Sequence, residues 1–173
     1  MFRKDYKVYI GFGKSFILIL RFSSVMTIRE SKEQDYEQVA ELYKTFFTEH
    51  NIFQKEKDEI VTYLKDQQDI FLVNEKEGKI VGAGFLVLQK EEGTHKRWKL
   101  RHFAFTDDNG KELLMEAEKR VHKSSTTAKI ELTIAETEIS LEFYKQNGYE
   151  QEGALTNHYR WGETCFLLGK SFS

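Results

Sequence analysis

Apolar and polar positions from Met26 onward follow strand and helix periods in a regular order. Alternating or continuous apolar runs predict strands over about residues 26–30, 70–73, 80–89, 98–105, 130–134, 149–152 and 159–168. Apolar residues at helical spacing predict four helices, over about residues 34–49, around residue 60, behind Gly110 and around Tyr144. The order β-α-α-β-β-β-α-β-α-β-β includes a strand-helix-strand crossover and several hairpins. It therefore predicts an α/β domain with a mixed sheet.

Polar breaks predict where the elements end. Glu77-Gly78 is typical of a hairpin turn, and residues 90–96 are predicted to form a polar loop. Asn147-Gly148 is expected to end the last helix with a left-handed residue. Either Asp108 or Asn109 is expected to cap the helix behind Gly110 with its side chain.

The first 25 residues differ from the rest, so the predicted division is an extension over 1–25 and a domain over 26–173. The extension begins with basic residues and contains a run of only five apolar residues at 16–20. That run is too short to span a bilayer, and no small-residue cleavage site follows it. An extra edge strand, a start-site artefact and translation from Met26 remain open as interpretations of a non-catalytic extension.

Charge and cysteine content restrict the function classes. The 26 basic and 28 acidic residues nearly cancel, which argues against a nucleic-acid partner. The one cysteine, Cys165, excludes an internal disulfide and favours the cytoplasm, and the five histidines lack metal-ligand spacing. We expect no membrane partner, while exposed edge strands could pair two copies into a homodimer.

Four segments together resemble the GNAT superfamily of N-acetyltransferases. The strongest is Ser-Leu-Glu-Phe-Tyr-Lys-Gln-Asn-Gly-Tyr at residues 140–149; the others are residues 100–105, 110–114 and 166–170. The resemblance implies a GNAT-like acyl-CoA N-acyltransferase fold, with a central mixed sheet flanked by about four helices. In that family one strand splays from its neighbour, and acetyl-CoA occupies the gap as co-substrate.

The family holds the cofactor pyrophosphate with backbone N–H groups of the pattern Arg/Gln-x-x-Gly-x-Gly/Ala at a helix start. Here the segment between Phe105 and Leu113 is several residues shorter, and only Gly110 matches the pattern. Asp107 and Asp108 add two carboxylates where phosphates would lie. The cofactor-binding residues that the resemblance implies are Phe105, Thr106, Asn109, Gly110, Lys111 and Thr137.

Tyr144 stands where the family commonly has the tyrosine that protonates the departing thiolate, although it could simply pack with its hydroxyl outward. Thr137 could contact the cofactor arm or cap a helix. The intrinsic pKa of histidine suits a general base, so His102 is a candidate, although its basic strand could be a solvated face. His50-Asn51 falls at the position of the family's substrate loop.

Two functions stand foremost. The first is an acetyl-CoA-dependent N-acetyltransferase acting on a primary amine of a small molecule or peptide, which the segment around Tyr144 favours. The second is a GNAT-fold module without catalysis that binds or regulates, which the short segment with Asp107 and Asp108 favours. Nucleic-acid binding rests only on the basic strand.

Overall fold

The computed structural model describes residues 26–48, 51–136, 138 and 140–173, with the side chain of Asp108 left out. Within these residues the strands are β1 (Met26–Glu30), β2 (Ile70–Lys76), β3 (Lys79–Glu92), β4 (His95–Phe105), β5 (Thr127–Ala135), β6 (Glu150–Thr156) and β7 (Thr164–Phe172). The helices are α1 (Tyr36–Phe46), α2 (Lys57–Lys65), α3 (Gly110–Lys123) and α4 (Leu141–Gln146). This is the predicted element order. The proposed extension over 1–25 lies outside the described residues.

The seven strands form one mixed sheet in the order β1-β2-β3-β4-β5-β7-β6. Strands β4 and β5 are parallel, and the other neighbours are antiparallel. Helix α3 supplies the crossover that a parallel pair requires. The predicted mixed α/β fold is therefore confirmed.

Helices cover both faces of the sheet, and each face buries its own apolar cluster. On one face Leu113, Leu114 and Ala117 of α3 pack on inward residues of β4 and β5 such as Leu100 and Ile130. On the other face the apolar side chains of α1 and α2 pack against those of β2 and β3. Among the described helices, none has the length and apolar content to cross a bilayer.

Two predicted turns are confirmed by their backbone angles. Glu77 and Gly78 have φ of 53° and 78°, as a two-residue hairpin turn requires. Gly148 has φ of 84°, and the N–H of Tyr149 donates to the carbonyl oxygen of Tyr144 at 3.1 Å. This left-handed cap ends α4 and fixes the backbone beside Tyr144.

The predicted loop at 90–96 is wrong. Strands β3 and β4 continue to Glu92 and His95, which are partners in the ladder, and only residues 93 and 94 form the turn. This end of the hairpin projects beyond the core, so its side chains are exposed and polar although the backbone is extended. Polarity therefore indicated a loop where a solvated hairpin exists.

Several element limits also differ from the prediction. Strand β7 begins at Thr164 instead of residue 159, because residues 157–163 form a turn with positive φ at Asn157 and Gly162. Helix α1 is shorter than residues 34–49, since a 3-10 helix at Glu33–Asp35 precedes it and it ends at Phe46. The predicted strand at 149–152 extends to Thr156 as β6.

Strand β4 contains an irregularity that the sequence did not indicate. Ala83 pairs with Ala104, whereas Phe85 pairs with Arg101, so β4 has one extra residue at this point. His102 lies in this bulge with φ of 49°. Bulges bend a strand and redirect side chains. Opposite the bulge, a Cβ on Gly84 would lie 2.7 Å from Cδ2 of Phe103, which explains the glycine.

Candidate active site

A cleft opens where β4 and β5 separate. Their parallel pairing runs from His95 with Thr127 to Lys99 with Glu131. Beyond this point Leu100–Phe103 line one wall and Leu132–Ala135 the other, around a volume of about 540 Å³. Strand edges that have lost their partner present N–H and C=O groups. The cleft therefore offers a slot with apolar side chains and backbone hydrogen-bonding groups.

Tyr144 lies against this cleft and is almost completely buried, with 3% of its surface exposed. Helix α4 holds it between Phe143 and Tyr149, whose ring centroids lie 5.2 and 5.6 Å from its own. Burial raises the pKa of the Tyr144 phenol far above its ordinary value, and the negative charge of Glu138 raises it further. The phenol therefore keeps its proton at neutral pH.

His102 also lines the cleft, because the bulge in β4 places it there. Its Nε2 lies 2.8 Å from the hydroxyl oxygen of Tyr63 on α2. The rings of Phe53 and Tyr43 pack around the imidazole, with centroids 4.9 and 6.2 Å away. These contacts fix the orientation of the ring. The structure therefore brings His102 and Tyr144 to one cleft.

Three other basic residues of β4 form ion pairs. Acidic partners lie within salt-bridge distance of Lys96, Arg97 and Arg101; they are Glu91, Glu131 and Asp69, at 3.3, 3.6 and 2.8 Å. Lys96 and Arg97 therefore fit the alternative interpretation of a solvated face, whereas Lys99 and Arg101 line the cleft. They give no support to a nucleic-acid-binding surface.

The described residues proposed for cofactor binding lie near the start of α3, outside the cleft lining. The connection from β4 to α3 comprises residues 106–109, with a 3-10 helix at Asp107–Asn109. Thr106 and Lys111 are exposed, Asn109 is buried, and Phe105 is half-buried. Thr137 lies outside the described residues, as does His50, whereas Asn51 lines the cleft.

Asn109 is the N-cap residue of α3, one of the two positions that the sequence predicted. Its side chain makes no cap to α3; the amide nitrogen donates to the carbonyl oxygen of Thr106 at 2.7 Å. The backbone oxygen of Asn109 accepts a hydrogen bond from the buried Asn74 at 3.1 Å. The Asn109 side chain therefore does not bind the first N–H groups of α3.

Gly110 has a packing role that sequence comparison could not identify. An added Cβ would lie 2.6–2.7 Å from the ring of Phe105. That ring also packs against Phe143 and Phe46, with centroids 4.7 and 5.6 Å away. The glycine therefore permits close packing of β4, α1, α3 and α4, whether or not phosphate binds nearby.

Two carboxylates that the sequence did not single out line the cleft on the side of β7. Glu138 follows β5, and Glu163 precedes β7. Burial raises the pKa of Glu138, and the charge of Glu163 adds to the increase, while Ala135 and Arg160 act in the opposite direction. In the sequence both were indistinguishable from the many solvated acidic residues, since only the fold brings them to the cleft.

No protein-family model matches the chain, and a comparison with curated proteins also found no match. Solved structures do match. Aminoglycoside 6'-acetyltransferase type Ii is 20% identical with a TM-score of 0.67, covering 83% of this chain and 96% of that one. Ard1 from Thermoplasma volcanium is 22% identical with a TM-score of 0.64, covering 86% and 98%.

Naa50 of Arabidopsis thaliana, solved with the bisubstrate analogue CoA-Ac-MVNAL, is 19% identical with a TM-score of 0.65, covering 85% of this chain and 99% of that one. A GNAT-family acetyltransferase from Streptococcus pneumoniae superimposes with a TM-score of 0.64 at 18% identity, covering 86% of this chain and 100% of that one. At these identities the similarity concerns the fold. The chain has the fold of the GNAT N-acetyltransferases, as the sequence predicted.

Proposed function

We propose that this protein is an acetyl-CoA-dependent N-acetyltransferase that acetylates a primary amine of a small molecule or peptide. The observation that carries the proposal is the cleft between the separated strands β4 and β5, with Tyr144 buried against it. Acetyl-CoA would supply an activated acetyl thioester. Among the fold neighbours named above, one is an aminoglycoside 6'-acetyltransferase and another binds the bisubstrate analogue CoA-Ac-MVNAL, which supports this reaction class.

The described residues fit acetyl-CoA in two places. The edges of β4 and β5 in the cleft suit the narrow thioester arm, because they offer backbone groups between apolar side chains. The first N–H groups of α3, at Gly110 and Lys111, suit a phosphate, with the exposed Lys111 ammonium beside them. Phe105, Thr106, Asn109 and Thr137 remain proposed as residues that shape this binding region.

Tyr144 is proposed to hold a proton at its phenol oxygen and to donate it to the departing thiolate. Burial keeps the phenol protonated at neutral pH, as a proton donor requires, and the position of Tyr144 against the cleft supports this role. His102 is proposed to accept the proton that the amine loses, since it lines the same cleft and a neutral imidazole has a nitrogen that can accept a proton. The hydrogen bond with Tyr63 would orient its ring.

A second candidate function is a binding or regulatory module that does not catalyse. The connection at 106–109 favours it, because this short segment includes the exposed Asp107 and Gly110 is already explained by the packing of Phe105. A carboxylate beside the start of α3 would oppose phosphate binding.

Calorimetric titration with acetyl-CoA, beside free CoA, distinguishes the two candidates. Binding in the micromolar range, followed by acetylation of amines, would support the enzyme. The Tyr144→Phe variant should then lose about a hundredfold in kcat while its affinity for acetyl-CoA stays the same. No heat at millimolar acetyl-CoA would contradict the proposed enzyme and favour the module, and unchanged kcat in Tyr144→Phe would remove Tyr144 from the mechanism.

A further inference from the structure

Glu163 presents an unsatisfied carboxylate oxygen at the cleft. Only 9% of its side chain is exposed, and its Oε2 is buried without a hydrogen-bond partner among the described residues. Its other oxygen, Oε1, lies 3.6 Å from Nη1 of Arg160. Buried charged oxygens are normally paired, so an unpaired one on a residue that lines a cavity indicates a missing hydrogen-bond donor.

Glu138 forms the second half of this feature. It lines the same cleft, and its pKa responds to the charges of both Glu163 and Arg160. The pKa of Tyr144 responds in turn to Glu138. Glu138 is therefore electrostatically coupled both to the unpaired carboxylate and to the phenol proposed for catalysis.

Two carboxyl groups and one guanidinium lie together at this end of the cleft. When both carboxyl groups are ionised, Glu138 and Glu163 carry two negative charges against the one positive charge of Arg160. On the opposite wall, Nη2 of Arg101 donates to Asp69 and Gln67, at 2.8 and 2.6 Å. A cation placed between the two carboxylates would relieve this imbalance and give Oε2 of Glu163 its donor.

We infer that Glu138 and Glu163 together bind the ammonium group of the acceptor, so that the substrate class is an aliphatic amine that arrives as a cation. The inference rests on the proposed function and names the substrate class of the same cleft. Asn51 lies on one side of the cleft, and Tyr159 lies near the two carboxylates. An ammonium has three donors, enough to satisfy Oε2 of Glu163 and the carboxylate of Glu138 together. An acceptor with a carboxylate next to its nitrogen would be repelled by both residues.

The test measures binding of an amine without any acyl donor, so it does not depend on acetyl transfer. The probe is putrescine, a linear aliphatic diamine, and the control ligand is the diol of the same length. The protein is compared as wild type, Glu163→Gln, Glu138→Gln and Glu150→Gln, the last removing an exposed charge outside the cleft lining. Thermal unfolding verifies that each variant is folded.

We expect putrescine to bind to the wild type and to Glu150→Gln with equal affinity. Each of the two cleft variants should weaken binding about tenfold or more, as loss of a charge-assisted hydrogen bond would. The diol should give no heat. Equal binding of the diol and the diamine, unchanged affinity in both cleft variants, or no diamine binding to the wild type would each overturn the inference. The acetyl-CoA titration described above is independent of these outcomes, so it shows separately whether the proposed enzyme fails.

Discussion

His102 combines an unusual backbone angle with a position at the cleft. A residue other than glycine at φ of 49° is uncommon, and asparagine tolerates this region better than most residues. His102→Asn should therefore keep the bulge in β4 while removing the imidazole. If His102 accepts the proton of the amine, kcat/KM should fall by about a hundredfold or more in a steady-state acetylation assay.

The matched control for this variant is Tyr63→Phe, which removes the hydroxyl 2.8 Å from Nε2 and leaves the imidazole in place. Its effect on kcat/KM should be much smaller than that of His102→Asn, because it changes only the orientation of the base. Equal losses of kcat/KM in the two variants would mean that activity depends on the hydrogen bond between Tyr63 and His102 and not on proton transfer to the imidazole. Full activity in His102→Asn would exclude His102 as the proton acceptor.

At the level of the elements, the apolar pattern predicted the order of the described strands and helices, because most of them contribute apolar side chains to one of the two cores. The limits of exposed segments were predicted less well. Residues 90–96 are polar because they project from the core, and residues 157–163 form a turn that a run of aromatic residues concealed. The bulge at His102 depends on pairing with β3, so it leaves no local signal in the sequence.

Helix α3 offers a test of why Gly110 is a glycine. Its backbone has an ordinary helical φ of −74°, so Gly110→Ala creates no backbone strain. The new methyl group would overlap the ring of Phe105, and overpacking of this kind costs about 2 kcal/mol. Chemical denaturation should show this loss in the free energy of unfolding, although alanine by itself favours a helix.

A double-mutant cycle separates the clash from other effects of the alanine. In a Phe105→Ala background the ring is absent, so adding Gly110→Ala should be neutral or slightly stabilising. If the alanine costs the same free energy of unfolding in both backgrounds, the contact with Phe105 does not explain the glycine. Phosphate binding at the start of α3 would then be the better explanation for the glycine at position 110.

On the scale of the whole molecule, the site joins segments that are far apart in the sequence. Tyr144 and His102 were predicted because they occupy recognisable positions, one in the best matching segment and one in a basic strand. Glu138 and Glu163 come to the cleft only because β5 and β7 are neighbours in the sheet. Asn109 stands at the N-cap of α3 as predicted, but its side-chain amide donates to the carbonyl oxygen of Thr106 instead of accepting from the helix, a contact that the sequence did not indicate.

The stability of the whole domain should depend on an ion-pair group at the edge of the sheet. Arg29 on β1 contacts Asp35 at 2.6 Å and Glu75 on β2 at 2.7 Å. The Asp35 side chain is only 5% exposed, and the backbone N–H of Lys32 also donates to it. Asp35→Asn removes the charge that Arg29 balances, so we expect a loss of about 3 kcal/mol in the free energy of unfolding at neutral pH.

This loss in the free energy of unfolding should disappear in acid, because it depends on the negative charge of Asp35. The hydrogen bond from Arg29 holds the pKa of Asp35 below its ordinary value of 3.8, which more than offsets the opposing effect of burial. Above that value Asp35 is ionised in both states and contributes fully to stability. As the pH falls further, the unfolded chain takes up the proton first, so the contribution shrinks and is lost below the pKa of the folded state. The free energies of unfolding of the wild type and of Asp35→Asn, measured with urea, should therefore approach each other progressively as the pH falls below about 3.8. The exposed control Asp58→Asn should follow the wild type at every pH. A constant difference between wild type and Asp35→Asn down to pH 2 would show that Asp35 acts through packing instead of charge.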